Sequence, residues 1–337
     1  MIAYDRIVLG HGGGGRLSAD LLRNVFLPAF GNDVLSRLED QATLKWEGGR
    51  LAFTTDSFVV RPIFFPGGDI GKLAVNGTVN DLAVGGARPL FLSAAFILEE
   101  GLPLSDLERV VASMKEACRA ARVSLVTGDT KVVDQGKGDN VFITTAGIGV
   151  VPDGVSLSIR AARPGDRVVL SGTIGDHGMA ILCQREGIEL ESTIESDTAP
   201  LTDLAQMALR ACPAIRLMRD PTRGGLASTL NELAQASGVG VRIDEERVPF
   251  RPEVKAACEI LGLDPLYVAN EGKLVAVVPP GYEERVVETL REHSLGREAA
   301  VIGEILADGP GFVRLKSRVG GERVVSLLAG EPLPRIC

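Results

Sequence analysis

Strand-like and helix-like segments alternate along the whole sequence, and this alternation limits the folds that the chain can adopt. Runs rich in β-branched and apolar residues, such as 51–55, 91–98 and 141–150, alternate with segments such as 70–82, in which apolar residues recur at helical spacing. Alternation of this kind is typical of α/β or α+β proteins. We therefore predict an α/β (α+β) fold.

A cluster of turn-forming residues near the middle of the sequence predicts a domain boundary. Turn signals of the Pro-Asp-Gly and Pro-Gly-Asp type cluster between 151 and 166. A chain of 337 residues is also long enough for about two domains. The predicted units are an N-terminal domain over 1–153, a C-terminal α/β domain over 154–328 and a mobile tail over 329–337.

The tail has the sequence AGEPLPRIC, whose two prolines exclude both a helix and a central strand. Fully extended, it would reach about 30 Å. It ends on the thiol of Cys337, and the neighbouring α-carboxylate should keep the pKa of that thiol high. By composition alone a terminal cysteine is most simply accidental, but such a thiol would suit a carrier that takes up a chemical group and travels with it.

The chain is acidic, since 36 Lys and Arg against 44 Asp and Glu give a formal net charge of −8. It therefore has no general field for nucleic acid or an anionic membrane, although a local site could bind a polyanion. No apolar run approaches the roughly 20 residues that span a bilayer, and we expect no secretion signal. Five scattered cysteines without a CxxC motif form no disulfide framework, so we expect a cytoplasmic protein.

A glycine-rich run lies near the N-terminus. Gly10, Gly12 and Gly15 fit the pattern G-x-G-x-x-G, but the preceding strand is short and no acid clearly ends a second strand, so a dinucleotide-binding fold is not supported. The P-loop pattern GxxxxGK[ST] is absent from the sequence. The glycine amides could still contact phosphate, with Arg16 beside them, and a loop without function fits equally well.

Three aspartates stand out because each lies near the end of a predicted element beside small residues. They are Asp56 in TTDSF, Asp81 in VNDLAVGG and Asp220 in MRDPTRGG. Because Mg²⁺ takes a few carboxylates together with nucleotide phosphates, these aspartates are candidate magnesium ligands. Each one alone is more simply a cap or turn residue, and spacing does not show whether the three converge.

Two short polar motifs are further candidates for contact with nucleotide or metal. A tight turn, an acid, a hydroxyl and a cation would follow the strand predicted over 123–127, at Gly128, Asp129, Thr130 and Lys131. Glu271, in the motif NEGK before another strand, could act as a base or contact magnesium. For both motifs an ordinary turn is the simpler interpretation of the residues alone.

Taken together, these segments resemble the hydrogenase maturation proteins of the HypE family. The matching segments follow one another in the same order over essentially the whole chain, as GHGGGGRLSADLL, TTDSFVV, GDIGKLAVNGTVNDLAVGGARP, GDTKVV, RDPTRGGLA, NEGK and EPLPRIC. The C-terminal PRIC is the most specific of them. The wider superfamily of aminoimidazole ribonucleotide synthetase, selenophosphate synthetase and thiamine-monophosphate kinase uses ATP and magnesium.

The resemblance implies a fold, a reaction and partners. The fold would be the two-domain aminoimidazole ribonucleotide synthetase-like fold with a flexible C-terminal tail, and the ATP-binding N-terminal domains would pair into a homodimer whose sheets close a shared barrel. Cys337 would receive a carbamoyl group from the carbamoyltransferase HypF. ATP would then drive dehydration of this thiocarboxamide to a thiocyanate, and the cyanide would pass to iron on a HypC–HypD scaffold for a [NiFe]-hydrogenase.

The resemblance also assigns roles to individual residues. Magnesium would be held by Asp56, Asp81 and Asp220. The nucleotide would contact Asp56, Lys72, Asn80, Asp81, Gly128, Asp129, Thr130 and Lys131. Catalysis would involve Cys337 as carrier, with Lys131 and Glu271 as unranked candidates for the base that removes protons from nitrogen. Lys131 could be this base only with a depressed pKa, and would otherwise clamp phosphate.

Two other functions remain open at this point. One is another enzyme of the superfamily. Selenophosphate synthetase, however, carries a reactive Cys or selenocysteine and then a lysine near its N-terminal glycine loop, where this chain has GHGGGGR. The other is a non-catalytic ATP-binding scaffold that presents Cys337 to a separate enzyme. ATP turnover that depends on modified Cys337 would distinguish an enzyme from a scaffold.

Overall fold

A computed structural model of the chain describes residues 15–21, 23–24, 35–39, 42–46, 48–188, 194–328, 330, 333 and 335–337. The glycine run over 10–14 lies outside the described residues. A short helix, α1, covers Arg16–Leu21. Within the described ranges, no helix combines the length and the apolar character that a membrane span requires.

The first half of the chain builds a five-stranded sheet, a two-stranded sheet of β3 and β4, and two long helices. Its strands are β1 Ala42–Trp46, β2 Gly49–Phe58, β3 Phe64–Phe65, β4 Gly68–Asp69, β5 Arg88–Glu99, β6 Ser124–Val133 and β7 Val141–Val151. Its helices are α2 Ile70–Val84 and α3 Leu104–Ala121. Five strands form a sheet in the order β1-β2-β7-β5-β6, in which β5 and β6 are parallel and the other neighbours are antiparallel.

Helix α2 is buried on nearly all sides and forms the centre of this half. Asp69 caps its N-terminus by accepting hydrogen bonds from the backbone N–H groups of Gly71 and Lys72, at 2.7 and 3.1 Å. The helix packs on β2 and β7 on one side, and on α3 on another. This position explains why its sequence is apolar around most of its circumference.

The face of the five-stranded sheet that points away from α2 is exposed and partly apolar. Phe53, Ile148 and Phe91 lie side by side across β2, β7 and β5. Each exposes between 38 and 45% of its surface. A contiguous apolar row of this kind indicates an interaction surface.

The second half builds a larger sheet covered by helices. Its strands are β8 Arg167–Leu170, β9 Leu217–Arg219, β10 Gly240–Asp244, β11 Val275–Val278, β12 Ala300–Leu306, β13 Val313–Lys316 and β14 Glu322–Val325. Its helices are α4 Asp176–Glu186, α5 Thr202–Ala211, α6 Gly225–Ser237, α7 Pro252–Leu261 and α8 Glu283–Arg291. Short 3₁₀ helices cover Leu35–Arg37, Glu245–Arg247, Pro265–Tyr267 and Ser294–Gly296. The strand order is β14-β13-β10-β12-β8-β11-β9, and the apolar run of β11 is buried throughout.

One hydrophobic cluster joins both halves and the tail. It contains Leu73 of α2, Met179 of α4, Val268 and, near the end of the chain, Ile336. Helix α2 also packs on α5 of the second half. The two halves and the end of the chain therefore share one hydrophobic core cluster.

The predicted α/β architecture is confirmed, and the helix predicted over 70–82 corresponds to α2. The turn predicted at Gly128–Lys131 is wrong. Strand β6 continues through this motif, which pairs with residues 94–97 of β5. A Cβ atom at Gly128 would lie only 2.3 Å from the carbonyl oxygen of Ala94, so this glycine allows close strand pairing rather than a turn.

Candidate active site

A cavity of about 260 Å³ lies where the first half, the second half and the last residue of the chain meet. Five of the predicted site residues line it, namely Asp56, Asp81, Asp220, Glu271 and Cys337. The structure therefore brings the three proposed magnesium ligands together with the thiol and one of the two proposed bases.

The first half contributes two carboxylates from adjacent elements. Asp56 lies on β2 and Asp81 on α2. The Thr54 hydroxyl donates to Oδ2 of Asp81 at 2.8 Å and thereby orients that carboxylate. Helix and strand can approach closely because Gly77 has no side chain, and a Cβ atom there would lie 2.8 Å from the Phe58 ring.

The second half contributes Asp220 and Arg223 from the loop between β9 and α6. The loop ends at Gly225, whose φ of +60° favours glycine. A Cβ atom on this residue would also lie 2.6 Å from the carbonyl oxygens of Leu266 and Val268. The glycine therefore allows the loop to pack tightly, so that both charged side chains reach the cavity.

Glu271 is held in the cavity by its own backbone. Its N–H donates to Oδ1 of Asp197 at 3.0 Å, and its carbonyl oxygen accepts from the side-chain amide of Asn80 at 3.1 Å. That amide also donates to the Ala199 carbonyl at 3.1 Å and accepts from the Leu201 N–H at 2.8 Å. Asn80, predicted to contact nucleotide, is buried and directs these hydrogen bonds to protein groups, so it positions Glu271.

The cavity concentrates negative charge away from water. Burial raises the pKa of Asp56, raises that of Asp220 to about 6, and raises that of Glu271 well above its usual range. Neighbouring carboxylates increase the effect at Asp220 and Glu271, whereas Arg223 opposes it at all three. The pKa of the Arg223 guanidinium is raised, most of all by negative charge on Cys337. The carboxylates of Asp56, Glu271 and Asp81 raise it further.

This charge pattern fits a divalent cation. Asp56, Asp81 and Asp220 provide the oxygen ligands that Mg²⁺ prefers. In the part of the chain that the structure describes, no group of three or more His, Cys, Asp or Glu side chains is arranged to hold a metal ion by itself, and this includes the three aspartates. Mg²⁺ needs no such group when one or two carboxylates bind it together with substrate phosphates.

The two predicted lysines lie elsewhere. Lys72 lies in the first turn of α2 and is half-buried, its Nζ donates to the Gly67 carbonyl at 2.8 Å, and burial lowers its pKa. Lys131 and Asp129 form an ion pair of 3.0 Å on β6, with 72 and 62% of their side chains exposed. The backbone of Gly128 and Thr130 belongs to the same strand. The structure thus does not bring the 128–131 motif into the Cys337 cavity.

The described end of the tail is docked against the protein. The backbone N–H of Val59 donates to an α-carboxylate oxygen of Cys337, and that of Arg61 donates to the Arg335 carbonyl oxygen, each at 3.2 Å. Between them the side chain of Ile336 is 3% exposed. The sequence left the resting position of the tail open, and the structure places its last residues in the cleft.

Two charged groups were missed by sequence reasoning. Arg223 lies inside the motif RDPTRGG, and its position three residues after Asp220 was the available signal. Asp197 forms a buried ion pair of 3.1 Å with Lys273 behind Glu271. No motif marks Asp197, because its importance comes from burial and from a partner distant in sequence.

Known families match this architecture in the same order along the chain. Residues 38–151 match the family described as AIR synthase related protein, N-terminal domain, and residues 163–316 match the corresponding C-terminal domain. The fold and the site therefore define a two-domain protein of the AIR synthase related class.

Full-length relatives narrow this class. Carbamoyl dehydratase HypE of Cupriavidus necator is 56% identical over 337 residues, which is 100% of this chain and 96% of that protein. The crystal structure of a HypE–HypF complex gives a TM-score of 0.87 at 48% identity, covering 91% of this chain and 99% of the other. A HypE structure in complex with ATP gives 0.83 at 48% identity, covering 98% and 100%. The chain belongs to the HypE family of carbamoyl dehydratases, which confirms the resemblance seen in the sequence.

Proposed function

We propose that this chain uses ATP to dehydrate a carbamoyl group carried on the Cys337 thiol, and that the product is a thiocyanate. The cyanide then passes to iron during maturation of a [NiFe]-hydrogenase. One observation carries the proposal: Cys337 lines the same cavity as Glu271 and three aspartates. The name of the 56% identical relative and the ATP in the related HypE structure support it.

The proposed reaction has two steps. The amide oxygen attacks the γ-phosphorus of ATP, ADP leaves, and the nitrogen gives up one proton, so that the oxygen becomes part of a phosphate leaving group. The C–O bond then breaks, the nitrogen loses its second proton, and thiocyanate and inorganic phosphate form. A base must act at the nitrogen, and water must be excluded because it would hydrolyse the phosphorylated group.

We assign the base to Glu271. It lines the cavity with Cys337, and a carboxylate whose pKa is raised by burial accepts protons more strongly than an exposed one. Lys131 is exposed on β6 and ion-paired with Asp129. The other role considered for Lys131, a contact with nucleotide phosphates, stays a proposal.

The three aspartates are the proposed magnesium ligands. Asp56, Asp81 and Asp220 would share Mg²⁺ with the ATP phosphates, and the ion would neutralise charge on the transferring phosphoryl group. Arg223 adds a cation on the Cys337 side of the cavity. Lys72 stays a proposed phosphate contact, reached by a change of its side-chain rotamer away from Gly67.

The proposed partners follow from the family and from one surface. The related HypE–HypF complex supports HypF as the carbamoyl donor protein. By the family resemblance, HypC–HypD would receive the cyanide. The exposed row of Phe53, Ile148 and Phe91 supports pairing of two five-stranded sheets into a homodimer. We propose a cytoplasmic location for these steps.

The mass of the C-terminal peptide tests the reaction. The chain is incubated with the carbamoyltransferase and its substrates, and then with ATP and Mg²⁺. We expect Cys337 to gain a carboxamide and then to lose one water only when ATP is present. Glu271→Gln should block the loss of water, whereas Glu322→Gln on β14, outside the cavity, should not.

Each alternative result has a distinct meaning. A carboxamide that never loses water in the wild-type chain would favour a scaffold that presents Cys337. An unmodified Cys337, with a transferase that is active on another acceptor, would favour a small-molecule kinase of the superfamily. Loss of water in Glu271→Gln at the wild-type rate would exclude Glu271 as the base.

A further inference from the structure

His177 contacts the tail directly beside Cys337, and no role has yet been assigned to it. It lies in the first turn of α4 and is fully buried, with the ring of Phe65 perpendicular to it at 5.6 Å between centroids. Its Nε2 lies 2.7 Å from the carbonyl oxygen of Ile336. That carbonyl belongs to the peptide bond between Ile336 and Cys337, so the ring holds the peptide unit that carries the thiol.

The two hydrogen-bond partners of His177 determine which of its ring nitrogens carries the proton. A carbonyl oxygen can only accept, so Nε2 must carry the proton shared with Ile336. Burial lowers the pKa of His177, although nearby Asp197 opposes this, and a neutral ring leaves Nδ1 as an acceptor. The Ser196 hydroxyl, 2.7 Å away, donates to Nδ1 and itself accepts the Thr198 N–H at 3.2 Å.

The same short segment also holds the proposed base. Asp197 lies between Ser196 and Thr198, and its Oδ1 accepts the backbone N–H of Glu271 at 3.0 Å. Three consecutive residues therefore orient both the ring that contacts the tail and the backbone of Glu271. A tail seated on His177 has a defined position relative to the proposed base.

Other contacts hold the residues on either side. The backbone N–H groups of Val59 and Arg61 bind Cys337 and Arg335. The Arg185 guanidinium also donates to the Arg335 carbonyl, at 2.7 Å. His177 acts on the peptide unit between these two anchors, where a rotation would move the thiol out of the cavity.

We infer that His177 is a positioning residue, which seats the Ile336 carbonyl and thereby holds modified Cys337 beside Glu271. Its consequence for catalysis rests on the proposed function. The seating itself is a property of the unmodified chain and can be measured without the reaction.

The seating is tested on the full chain by the rate at which iodoacetamide alkylates Cys337, resolved by peptide mass. We expect His177→Ala to raise this rate about five- to tenfold, because a net hydrogen bond is lost and the Ile336 carbonyl stays without a donor. His177→Gln should restore a rate close to that of the wild-type chain, since its Nε2 amide can donate to the same oxygen. Loss of packing alone would not be rescued in this way.

The other cysteines serve as internal controls, which distinguish release of the tail alone from a loss of packing throughout the protein. Four cysteines are buried and should stay unreactive in every variant, namely Cys118, Cys183, Cys212 and Cys258. If His177→Ala exposes them as well, Ser196→Ala decides, because it removes the donor to Nδ1 and should still raise alkylation of Cys337 about twofold or more. The inference fails if neither variant accelerates Cys337 alone. It also fails if the wild-type tail reacts as fast as a free peptide that ends in PRIC.

A second measurement addresses catalysis. The carbamoylated chain is mixed with ATP and Mg²⁺, and loss of water from Cys337 is followed in a single turnover. We expect about tenfold slower dehydration in His177→Ala and recovery in His177→Gln. If the wild-type chain never loses water, the proposed function fails while the alkylation result stands. If His177→Ala dehydrates at the wild-type rate, the catalytic role of His177 fails and the proposed function stands.

Discussion

Replacing Asp220 by Asn should stabilise the free protein at neutral pH, even though it removes a proposed magnesium ligand. Asp220 is buried near Asp56 and Glu271, and burial and the charge of Asp56 oppose its ionisation. Its neutral replacement removes this unfavourable charge. Buried carboxylates that repel one another in the absence of a cation are expected at a site that binds one.

The magnitude follows from the two pKa values of Asp220. In the unfolded chain the carboxyl titrates near 3.8, and in the folded chain at about 6. Below the lower value it is protonated in both states and has no effect. As pH rises between the two values, the unfolded state releases its proton first, so the free energy of unfolding falls. Above the upper value this loss is constant at about 3 kcal/mol, which Asp220→Asn should recover.

Urea unfolding in the absence of Mg²⁺, at about pH 4 and about pH 7.5, measures the effect. The variant should gain up to about 3 kcal/mol at the higher pH and little at the lower. Asp203→Asn is a control of opposite sign, because the hydrogen bond and charge of Arg122 lower the pKa of Asp203. This variant should be less stable than the wild-type chain at both pH values, because the stabilising ionisation of Asp203 is already largely complete at about pH 4. A gain for Asp220→Asn that does not grow with pH, or a loss at about pH 7.5, would refute the reasoning.

Three further predictions concern the tail and the sheet surface. Arg223→Gln should slow dehydration at least about tenfold, because it removes the cation that faces both the tail and the carboxylates; an unchanged single-turnover rate would contradict this. Ile336→Ala removes three buried carbons and so weakens docking of the tail by about 2.4 kcal/mol, at about 0.8 kcal/mol per carbon. Alkylation of Cys337 should therefore approach the free-peptide rate. A rate equal to that of the wild-type chain would exclude Ile336 as an anchor. Phe53→Asp should dissociate the proposed dimer in sedimentation, whereas Val319→Asp, at a residue already 95% exposed, should leave it intact; a dimeric Phe53→Asp variant would exclude this face.

The sequence was sufficient to identify the acidic site residues but not their convergence. Asp56, Asp81 and Asp220 were recognisable because each lies in a short motif beside small residues. Their meeting in one cavity depends on the packing of β2, α2 and a loop of the second half, which no local pattern encodes. The family resemblance supplied this information in place of local physics.

Residues whose roles depend on burial were the ones that local reasoning missed. His177 and Asp197 lie in no recognised motif, and their importance comes from partners that are distant in the chain. The error at Gly128 has a different cause. Glycine followed by aspartate is a common turn signal, but here the missing side chain serves close pairing with Ala94.

The strength of tail docking must suit a carrier, and the contacts are consistent with a moderate value. Burial of the Ile336 side chain contributes up to about 3 kcal/mol. Hydrogen bonds from Val59, Arg61, Arg185 and His177 contribute about 1 kcal/mol each. Ordering the three described terminal residues costs about 5 kcal/mol. The remaining stabilisation of about 2 kcal/mol corresponds to roughly thirty docked tails for each free one.

This ratio allows both halves of the proposed cycle. A tail docked most of the time keeps the carbamoyl group in the cavity beside Glu271 while ATP reacts. A tail free a few per cent of the time can still meet a carbamoyltransferase or an iron scaffold, since local segments open and close far faster than typical turnover. Much tighter docking would lower the free population tenfold for every 1.4 kcal/mol and would slow the transfer of cyanide accordingly. The proposed cycle therefore requires a few modest contacts of the kind seen at 335–337, with His177 setting the position of the thiol rather than holding it permanently.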